Sequence, residues 1–154
     1  MLRERIKRKA HEVVYATGTR NPLKVCEAKH IPVYYDDLGK QIMAYHTVIK
    51  RIPAIVLSTR NSEFEDAYSC GHELGHHFCR HVGNTECLNR NNLRFSTMGN
   101  EAEANEFMVD LMLDGVNPHD YETKGQLLQA CGIPAWAEKY VDWNRLLLGS
   151  VDYG

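Results

Sequence analysis

The sequence predicts a mostly helical α+β protein, in which a small antiparallel sheet packs against one long helix and a second helix downstream of it. Two observations carry this prediction. Short runs rich in β-branched and aromatic residues lie close together between residues 31 and 57. Segments with helical spacing of apolar residues flank that block on both sides. The order is that of a sheet followed by the helices that cover it.

The chain has the size of one domain. Its 154 residues include 44% hydrophobic and 25% charged residues, the composition of an ordinary folded protein. We expect a single domain over residues 1–154. It comprises a helical N-terminus over 1–30, a core over 31–115 that carries the chemistry, and C-terminal helices over 116–154.

The N-terminal region predicts two helices. Apolar residues recur at near-helical spacing over residues 2–16, and Gly18 supplies a stop. Asn21 followed by Pro22 is an N-cap with proline at the first helical position, so a short helix should run from there to about Lys29.

Three strands are expected next, over residues 31–35, 43–48 and 52–57, because these runs are rich in strand formers and are separated by polar turns. We expect them to pair as an antiparallel sheet. The segment Ile55 to Ser58 is then a candidate sheet edge, to which an extended peptide can add by β-pairing.

Helices fill the rest of the chain. A long helix is predicted from Phe64 to about His81, ended by Gly83 and Asn84. Residues 84–99 resemble an irregular excursion, and a second long helix is predicted over 101–113, capped by Asn100. Two shorter helices are expected over 123–131 and 135–147.

Composition excludes several classes of protein. A net charge of -2 gives no reason to expect nucleic acid, and no run reaches the eighteen or so apolar residues of a membrane span. The basic N-terminus has no signal-peptide core after it. We therefore expect a cytoplasmic protein without a membrane or nucleic-acid partner. An odd number of cysteines without a CxxC pair indicates free thiols; they are Cys26, Cys70, Cys79, Cys87 and Cys131.

The first long helix contains the motif HExxH, from His72 to His76. Positions four apart share one face of a helix, so both imidazoles can bind one Zn²⁺. Glu73 is offset by about 100° around the helix. It can therefore reach a water at the metal and act as the catalytic base. The alternative is a histidine-rich surface helix. Two observations argue against it: a β-rich segment precedes the helix, and Gly75 leaves room for close packing beside the metal.

A catalytic zinc needs a third protein ligand and an open position. The metzincin class is excluded, because Cys79 and Val82 occupy the positions where its glycine and third histidine would stand. Cys79 is about 4.5 Å further along a straight helix, and His81 is rotated away from the metal-facing side. We interpret Cys79 as a small buried residue.

The preferred third ligand is Glu101 on the second long helix. In gluzincins, which this arrangement resembles, the third ligand is a glutamate on a helix beside the motif, followed four residues later by an aspartate that supports a zinc-bound histidine. Asn105 holds that later position here and can fix a histidine tautomer. Glu103 points about 200° away from Glu101, so it is the competing candidate for the ligand.

The two signatures together resemble the ImmA/IrrE family of metallo-endopeptidases: His72-Glu73-Leu74-Gly75-His76-His77, and the segment that begins at Glu101 and reads Glu-Ala-Glu-Ala-Asn-Glu-Phe. The stretch Tyr34-Tyr35-Asp36-Asp37-Leu38-Gly39 fits the same family. The resemblance covers roughly residues 10–115. Met108 departs from it, at a packing position where the family commonly has alanine.

The resemblance implies a zincin-like fold and a zinc-dependent endopeptidase of a phage or mobile element. Its expected partner and substrate is a helix-turn-helix transcriptional repressor, whose cleavage releases repressed genes. A basic repressor would suit residues 95–123, which contain no Lys or Arg. Stabilisation of the oxyanion needs a further donor. The candidates are His119, Tyr121 and Tyr68.

Two other functions stay open at this point. The first is a zinc-binding regulator that binds a repressor without cutting it, for which Glu73→Gln would be harmless. The second is a structural zinc domain or a metal-free interaction domain; a structural zinc site would have four protein ligands and no open position.

Overall fold

A computed structural model describes residues 3–81, 87–93 and 99–152. Six α-helices and four strands lie in these ranges. The helices are α1 (Arg3–Thr17), α2 (Pro22–Ala28), α3 (Glu63–Phe78), α4 (Gly99–Leu113), α5 (Lys124–Ala130) and α6 (Trp143–Asp152). The strands are β1 (Val33–Asp36), β2 (Ile42–Ile49), β3 (Ile52–Ser58) and β4 (Leu88–Asn89). The α+β class is confirmed, and the predicted helices and strands are present with shifted ends, except for the last predicted helix.

The sheet is mixed, which corrects the expectation of an antiparallel sheet. Its strand order is β1-β3-β2-β4, with β1 parallel to β3 and the other pairs antiparallel. After β1 the chain forms β2, which leaves a space for one strand between the two. The next strand, β3, fills that space and pairs with both. The expectation that Ile55 to Ser58 forms a sheet edge is also wrong, because β3 is paired on both sides.

A tight turn joins β2 to β3 and sets their register. Ile49 faces Ile52, and the two residues between them, Lys50 and Arg51, have φ values of 49° and 69°. Two consecutive left-handed residues are the mark of a type I′ hairpin turn. The sequence offers no glycine or asparagine here, so the turn is formed at some conformational cost by two basic residues.

Helix α3 begins with a capping box. The Ser62 hydroxyl accepts from the N–H of Glu65, and the Glu65 carboxylate accepts from the N–H of Ser62. This pair satisfies two of the free N–H groups at the helix start and fixes where it begins. The helix ends at Phe78 rather than near His81, because Arg80 takes a left-handed conformation with φ 58°. Gly83 and Asn84, the predicted stop, lie outside the described residues.

Helix α4 packs closely against α3. A Cβ added to Gly75 would lie 2.5 Å from the backbone oxygen of Ala104 and 2.6 Å from its Cα. Real Cβ atoms never approach a backbone so closely, so only glycine at position 75 permits this helix pair. The part of α4 around Ala104, between Glu101 and Asn105, therefore lies directly beside the HExxH turn of α3.

Helix α1 packs on the outer side of α4, and ion pairs hold it there. Arg3 binds Asp110 of α4 through both guanidinium nitrogens, and Lys7 pairs with Asp142. Ile6, which is fully buried, belongs to the main hydrophobic core. The basic N-terminal segment thus contributes to packing as well as to the surface.

The C-terminal region differs from the prediction. One helix was expected over 135–147, but a 3₁₀ helix spans Ala135–Tyr140 and α6 begins only at Trp143. Val141 is extended, and the Asp142 carboxylate accepts from the N–H of Arg145, as an N-cap does. The break is therefore made by a capping aspartate in the sequence.

Parts of the predicted irregular excursion over 84–99 lie outside the described residues. The described part contains β4, a strand that the sequence did not predict, followed by one 3₁₀ turn over Arg90–Asn92. None of the helices in the described parts of the chain has the length and apolar character needed to cross a lipid bilayer.

Candidate metal centre

Three side chains converge where α3 meets α4. The Nε2 atoms of His72 and His76 lie 3.2 Å apart. Each is close to the Glu101 carboxylate, at 2.9 Å from Oε2 for His72 and 3.1 Å from Oε1 for His76. The two histidines are fully buried and Glu101 is partly exposed. The structure thus brings together all three residues that the sequence nominated as metal ligands.

The spacing of these atoms fits a tetrahedral metal ion. Zinc with bonds of about 2.1 Å separates neighbouring ligand atoms by about 3.4 Å, close to the three distances observed. Two imidazoles and one carboxylate are a donor set typical of catalytic zinc. Among the described residues, the cluster holds three ligand-type side chains, His72, His76 and Glu101. A structural zinc site, which needs four ligands, is disfavoured.

Asn105 supports His72 from behind. Its Oδ1 lies 2.7 Å from Nδ1 of His72, and its Nδ2 donates to the Tyr140 hydroxyl at 3.3 Å. When His72 is neutral, as a metal ligand has to be, donation from its Nδ1 to this carbonyl leaves the lone pair of its Nε2 available for the metal. This is the contact that the sequence predicted for Asn105.

His76 has a different support. Its Nδ1 lies 2.8 Å from Nδ1 of His81, and Nε2 of His81 lies 2.7 Å from Oε1 of Glu103. Glu103 therefore points to His81, on the far side of His76 from Glu101. The geometry therefore favours Glu101 over Glu103 as the third ligand.

Glu73 lies beside the cluster and is completely buried. Neither of its carboxylate oxygens makes a hydrogen bond of normal geometry within the described residues. The backbone of His46 lies close enough to lower its pKa, but a buried carboxylate with so little hydrogen bonding is costly, and such groups recur at functional sites. Its position next to three convergent donors suits a group that accepts and releases a proton.

The charges of the site are coupled. Burial raises the pKa of Glu73 to about 7, and the charge of Glu101 adds to this while His72 and the backbone of His46 oppose it. Burial also raises the pKa of Glu101, but hydrogen bonds from His72 and His76 outweigh it and lower that pKa to about 2. Burial lowers the pKa of His72, yet its contacts with Glu101 and Glu73 raise it overall. Glu101 is thus ionised and Glu73 readily protonated.

A small cavity of about 30 Å³ opens beside His72 and Glu101, with room for one or two water molecules. The residues that line it come from α3, α4, the segment around β4 and the 3₁₀ helix before α6. They are His72, Cys87, Leu88, Asn89, Asn92, Leu93, Glu101, Asn105 and Trp136.

The three predicted oxyanion donors are not among the residues lining this cavity. Tyr68 is buried one turn before His72, with its hydroxyl 3.9 Å from the Met43 sulfur. His119 is exposed on a 3₁₀ turn, and Tyr121 contacts Cys131. Their roles stay predictions.

Sequence reasoning missed two histidines near the site. His46 on β2 packs its ring against His77, and its backbone faces Glu73. His81 was excluded as a ligand on the assumption of a straight helix. The helix ends at Phe78, so His81 lies beyond it and is free to fold back towards the site. The signal that could have located it is the run of histidines His72, His76, His77 and His81 within ten residues.

A comparison with protein-family models agrees with this geometry. The IrrE N-terminal-like domain of the Peptidase_M78 family matches residues 26–138, which is more than half of the chain and includes all the residues of the site. The chain belongs to the Peptidase_M78 family. This membership confirms the resemblance stated from the sequence and supports a metallopeptidase type of function. Searches of curated proteins and of solved structures gave no significant match.

Proposed function

We propose that this Peptidase_M78 member is a zinc-dependent endopeptidase. The observation that carries the proposal is the convergence of His72, His76 and Glu101 beside the buried, unpaired carboxylate of Glu73. Zinc bound there would polarise the peptide carbonyl and lower the pKa of the attacking water. His72, His76 and Glu101 would hold it, which leaves one tetrahedral position for water or substrate.

Glu73 is the general base of this proposal. Its carboxylate takes a proton from the attacking water and then delivers that proton to the leaving amide nitrogen. In the metal-free protein burial raises the pKa of Glu73, which makes its carboxylate a stronger base than that of an exposed glutamate.

The outer edge of β2 is the part of the sheet that an extended substrate can reach. Ile55, opposite His46, donates its N–H to Pro32 on the β1 side at 3.0 Å. His46 and Ile55 are therefore a non-hydrogen-bonded pair, and the peptide groups of His46 point away from β3. The same alternation makes those of Val48 point outward, opposite Pro53, which has no N–H.

None of the described residues pairs with this edge where it passes the site. Within the described residues, β4 pairs with β2 only from Ile42 to Ala44. The backbone of His46, the next residue with outward peptide groups, faces Glu73. A peptide added along His46 and Val48 would thus run beside the catalytic base, which is the arrangement that β-strand addition needs. We thus place the substrate on the outer edge of β2 instead of on β3, which is paired on both sides.

The substrate class proposed is a helix-turn-helix transcriptional repressor of a phage or mobile element, cleaved in the cytoplasm. Support for this comes from the resemblance to the ImmA/IrrE family. The alternative is a regulator that binds its repressor without cutting it. The buried carboxyl group of Glu73 favours cleavage, since a protein that only binds its partner gains nothing from a buried polar group with so little hydrogen bonding.

The test is to incubate the zinc-loaded protein with the repressor encoded by the neighbouring gene, and in parallel with a library of extended peptides. Discrete fragments with new N-termini, identified by mass spectrometry, are expected. The control is Glu73→Gln, which has the same shape and should retain one equivalent of zinc but lose cleavage. Binding of the repressor without fragments, in both variants alike, would support the regulator. Fragments that persist with Glu73→Gln would indicate a contaminating protease and contradict the proposal.

A further inference from the structure

The end of α3 folds the chain back over the metal ligands. Arg80 is left-handed with φ 58°, and the N–H of His81 donates to the carbonyl of His76 at 3.0 Å. A left-handed residue followed by such a return bond is a Schellman-type helix end. It turns the side chain of His81 towards the helix it has just left, so that its ring centroid lies 5.1 Å from that of His76.

Three groups then form a continuous hydrogen-bonded chain. Nδ1 of His76 lies 2.8 Å from Nδ1 of His81, and Nε2 of His81 lies 2.7 Å from Oε1 of Glu103. The His81 side chain is only 5% exposed. Each distance is within the range of a normal hydrogen bond, and His81 is shielded from competing water.

The protons of this chain can have only one arrangement when His76 is a metal ligand. Nε2 of His76 must then offer its lone pair, so its proton is on Nδ1. The partner atom, Nδ1 of His81, has to accept, which leaves the proton of His81 on Nε2. That proton is donated to the Glu103 carboxylate. An ionised carboxylate has no proton to donate, so it can act only as an acceptor.

We propose that His81 is a positioning residue that, together with Glu103, fixes the tautomer and ring orientation of His76 for metal binding. The inference rests on the metal site proposed above and adds residues to it. The two histidine ligands are then held differently. A neutral amide supports His72, whereas a carboxylate supports His76 through an intervening imidazole. A carboxylate behind a ligand histidine makes that histidine a stronger donor to the metal.

The experiment measures zinc affinity by competition with a chromophoric chelator. His81→Leu removes the acceptor of His76 and should weaken zinc binding by about 10- to 100-fold, the usual cost of losing such a partner. His81→Asn places an amide oxygen near the former Nδ1 and should recover part of the loss. Glu103→Gln keeps the shape but not the charge, and should cost less than His81→Leu.

Matched controls separate this role from packing. His77→Leu changes a neighbouring histidine that contacts His46 and Phe78 but neither ligand. Glu106→Gln changes a glutamate one turn further along α4, close to Arg3. Both should leave zinc affinity within about twofold of the wild type, since neither contacts the His76 ring.

Nuclear magnetic resonance gives a readout that packing would not change. In the zinc-loaded wild type, the Nδ1 proton of His76 should be observed as a slowly exchanging, downfield signal, and His81→Leu should abolish it. Unchanged affinity and an unchanged signal in His81→Leu would overturn the role of His81 alone. A wild-type protein that binds no zinc would overturn the proposed function and this inference with it.

Discussion

The amide of Asn105 joins two parts of the protein at the candidate metal centre. Its oxygen accepts from His72 at 2.7 Å, and its nitrogen donates to the Tyr140 hydroxyl at 3.3 Å. Asn105 lies one turn along α4 from Glu101, so one helix face supplies both a ligand-type carboxylate and the support of a histidine. When Nε2 of His72 is the metal-binding nitrogen, its Nδ1 carries the proton and donates, so the amide oxygen of Asn105 faces His72 and the amide nitrogen faces Tyr140.

Asn105→Leu should weaken zinc binding by about 10- to 100-fold, because His72 loses the acceptor that holds its tautomer. Asn105→Asp should retain near wild-type affinity, since a carboxylate also accepts from Nδ1. Tyr140→Phe is the matched control and should change affinity little. Competition with a chelator measures all three, and equal affinities for the Leu and Asp variants would contradict the role given to Asn105.

Gly75→Ala should separate α3 from α4. The added Cβ would meet the backbone of Ala104 at 2.5 to 2.6 Å, where no side chain can move aside. We expect a loss of roughly 1–3 kcal/mol in the free energy of unfolding, as for other overpacked cores, and weaker zinc binding because Glu101 moves with α4.

The control for this change is Gly125→Ala in α5, where the nearest atom to a new Cβ is 3.9 Å away. Alanine in an open helical position should be neutral or stabilising by under about 1 kcal/mol. Chemical denaturation measures both variants. A Gly75→Ala protein as stable as the Gly125→Ala protein would show that the two helices do not need their close contact.

Zinc should stabilise the protein more at pH 7.5 than at pH 5.5. Without metal, the raised pKa of His72 and the lowered pKa of Glu101 make a charged pair between them. The contribution of Glu101 to the stability of the metal-free fold is present above the ordinary pKa of glutamate. The contribution of His72 to that stability is lost as the pH rises through its raised pKa. The metal-free protein is thus favoured at roughly pH 4.5–6.5, while zinc needs neutral histidines.

The measurement is the zinc-dependent rise in Tm as a function of pH. It is best made in Glu73→Gln, which removes the titration of a carboxyl whose pKa is about 7. The pKa of His76 is lowered, chiefly by burial, so His72 is the histidine that carries the competing proton. A rise in Tm that is constant from pH 5.5 to 7.5 would be the opposite of what this coupling requires.

Val48→Pro should leave the fold intact and reduce peptide cleavage. The N–H of Val48 points away from β3, so proline there removes no bond within the β2–β3 pair, and proline is tolerated on such edges. A substrate strand would lose one backbone partner, and we expect kcat/KM to fall about tenfold. Thr47→Pro, which removes an N–H that faces β3, should instead lower Tm.

Cleavage kinetics and thermal melting of the two proline variants distinguish these effects. A Val48→Pro protein that cleaves at the wild-type rate would place the substrate elsewhere than on this edge.

Much of the site followed from local sequence rules. The spacing of His72 and His76 fixes their shared face on any helix, and the spacing of Glu101 and Asn105 does the same on α4. Both pairs lie as predicted because neither depends on how the helix ends. The packing of α3 against α4 depends on the tertiary structure, although Gly75 in the sequence already indicated a close helix contact.

The remaining features depend on tertiary structure. The parallel pairing of β1 with β3 and the central place of β3 are set by which strand inserts between which, and the strand pattern is the same for either arrangement. His81 reached the site because Arg80 accepts a left-handed conformation, which arginine rarely does. A rule that expects glycine at helix ends could not locate this turn.

The placement of the ligands on two helices has a consequence for the chain between them. A metal ion bound by His76 and Glu101 would join residues 25 positions apart, by the difference 101 minus 76, and so act as a covalent cross-link does. Such a tie removes freedom mainly from the unfolded chain. The metal would then make unfolding of the protein, and with it digestion by other proteases, less frequent.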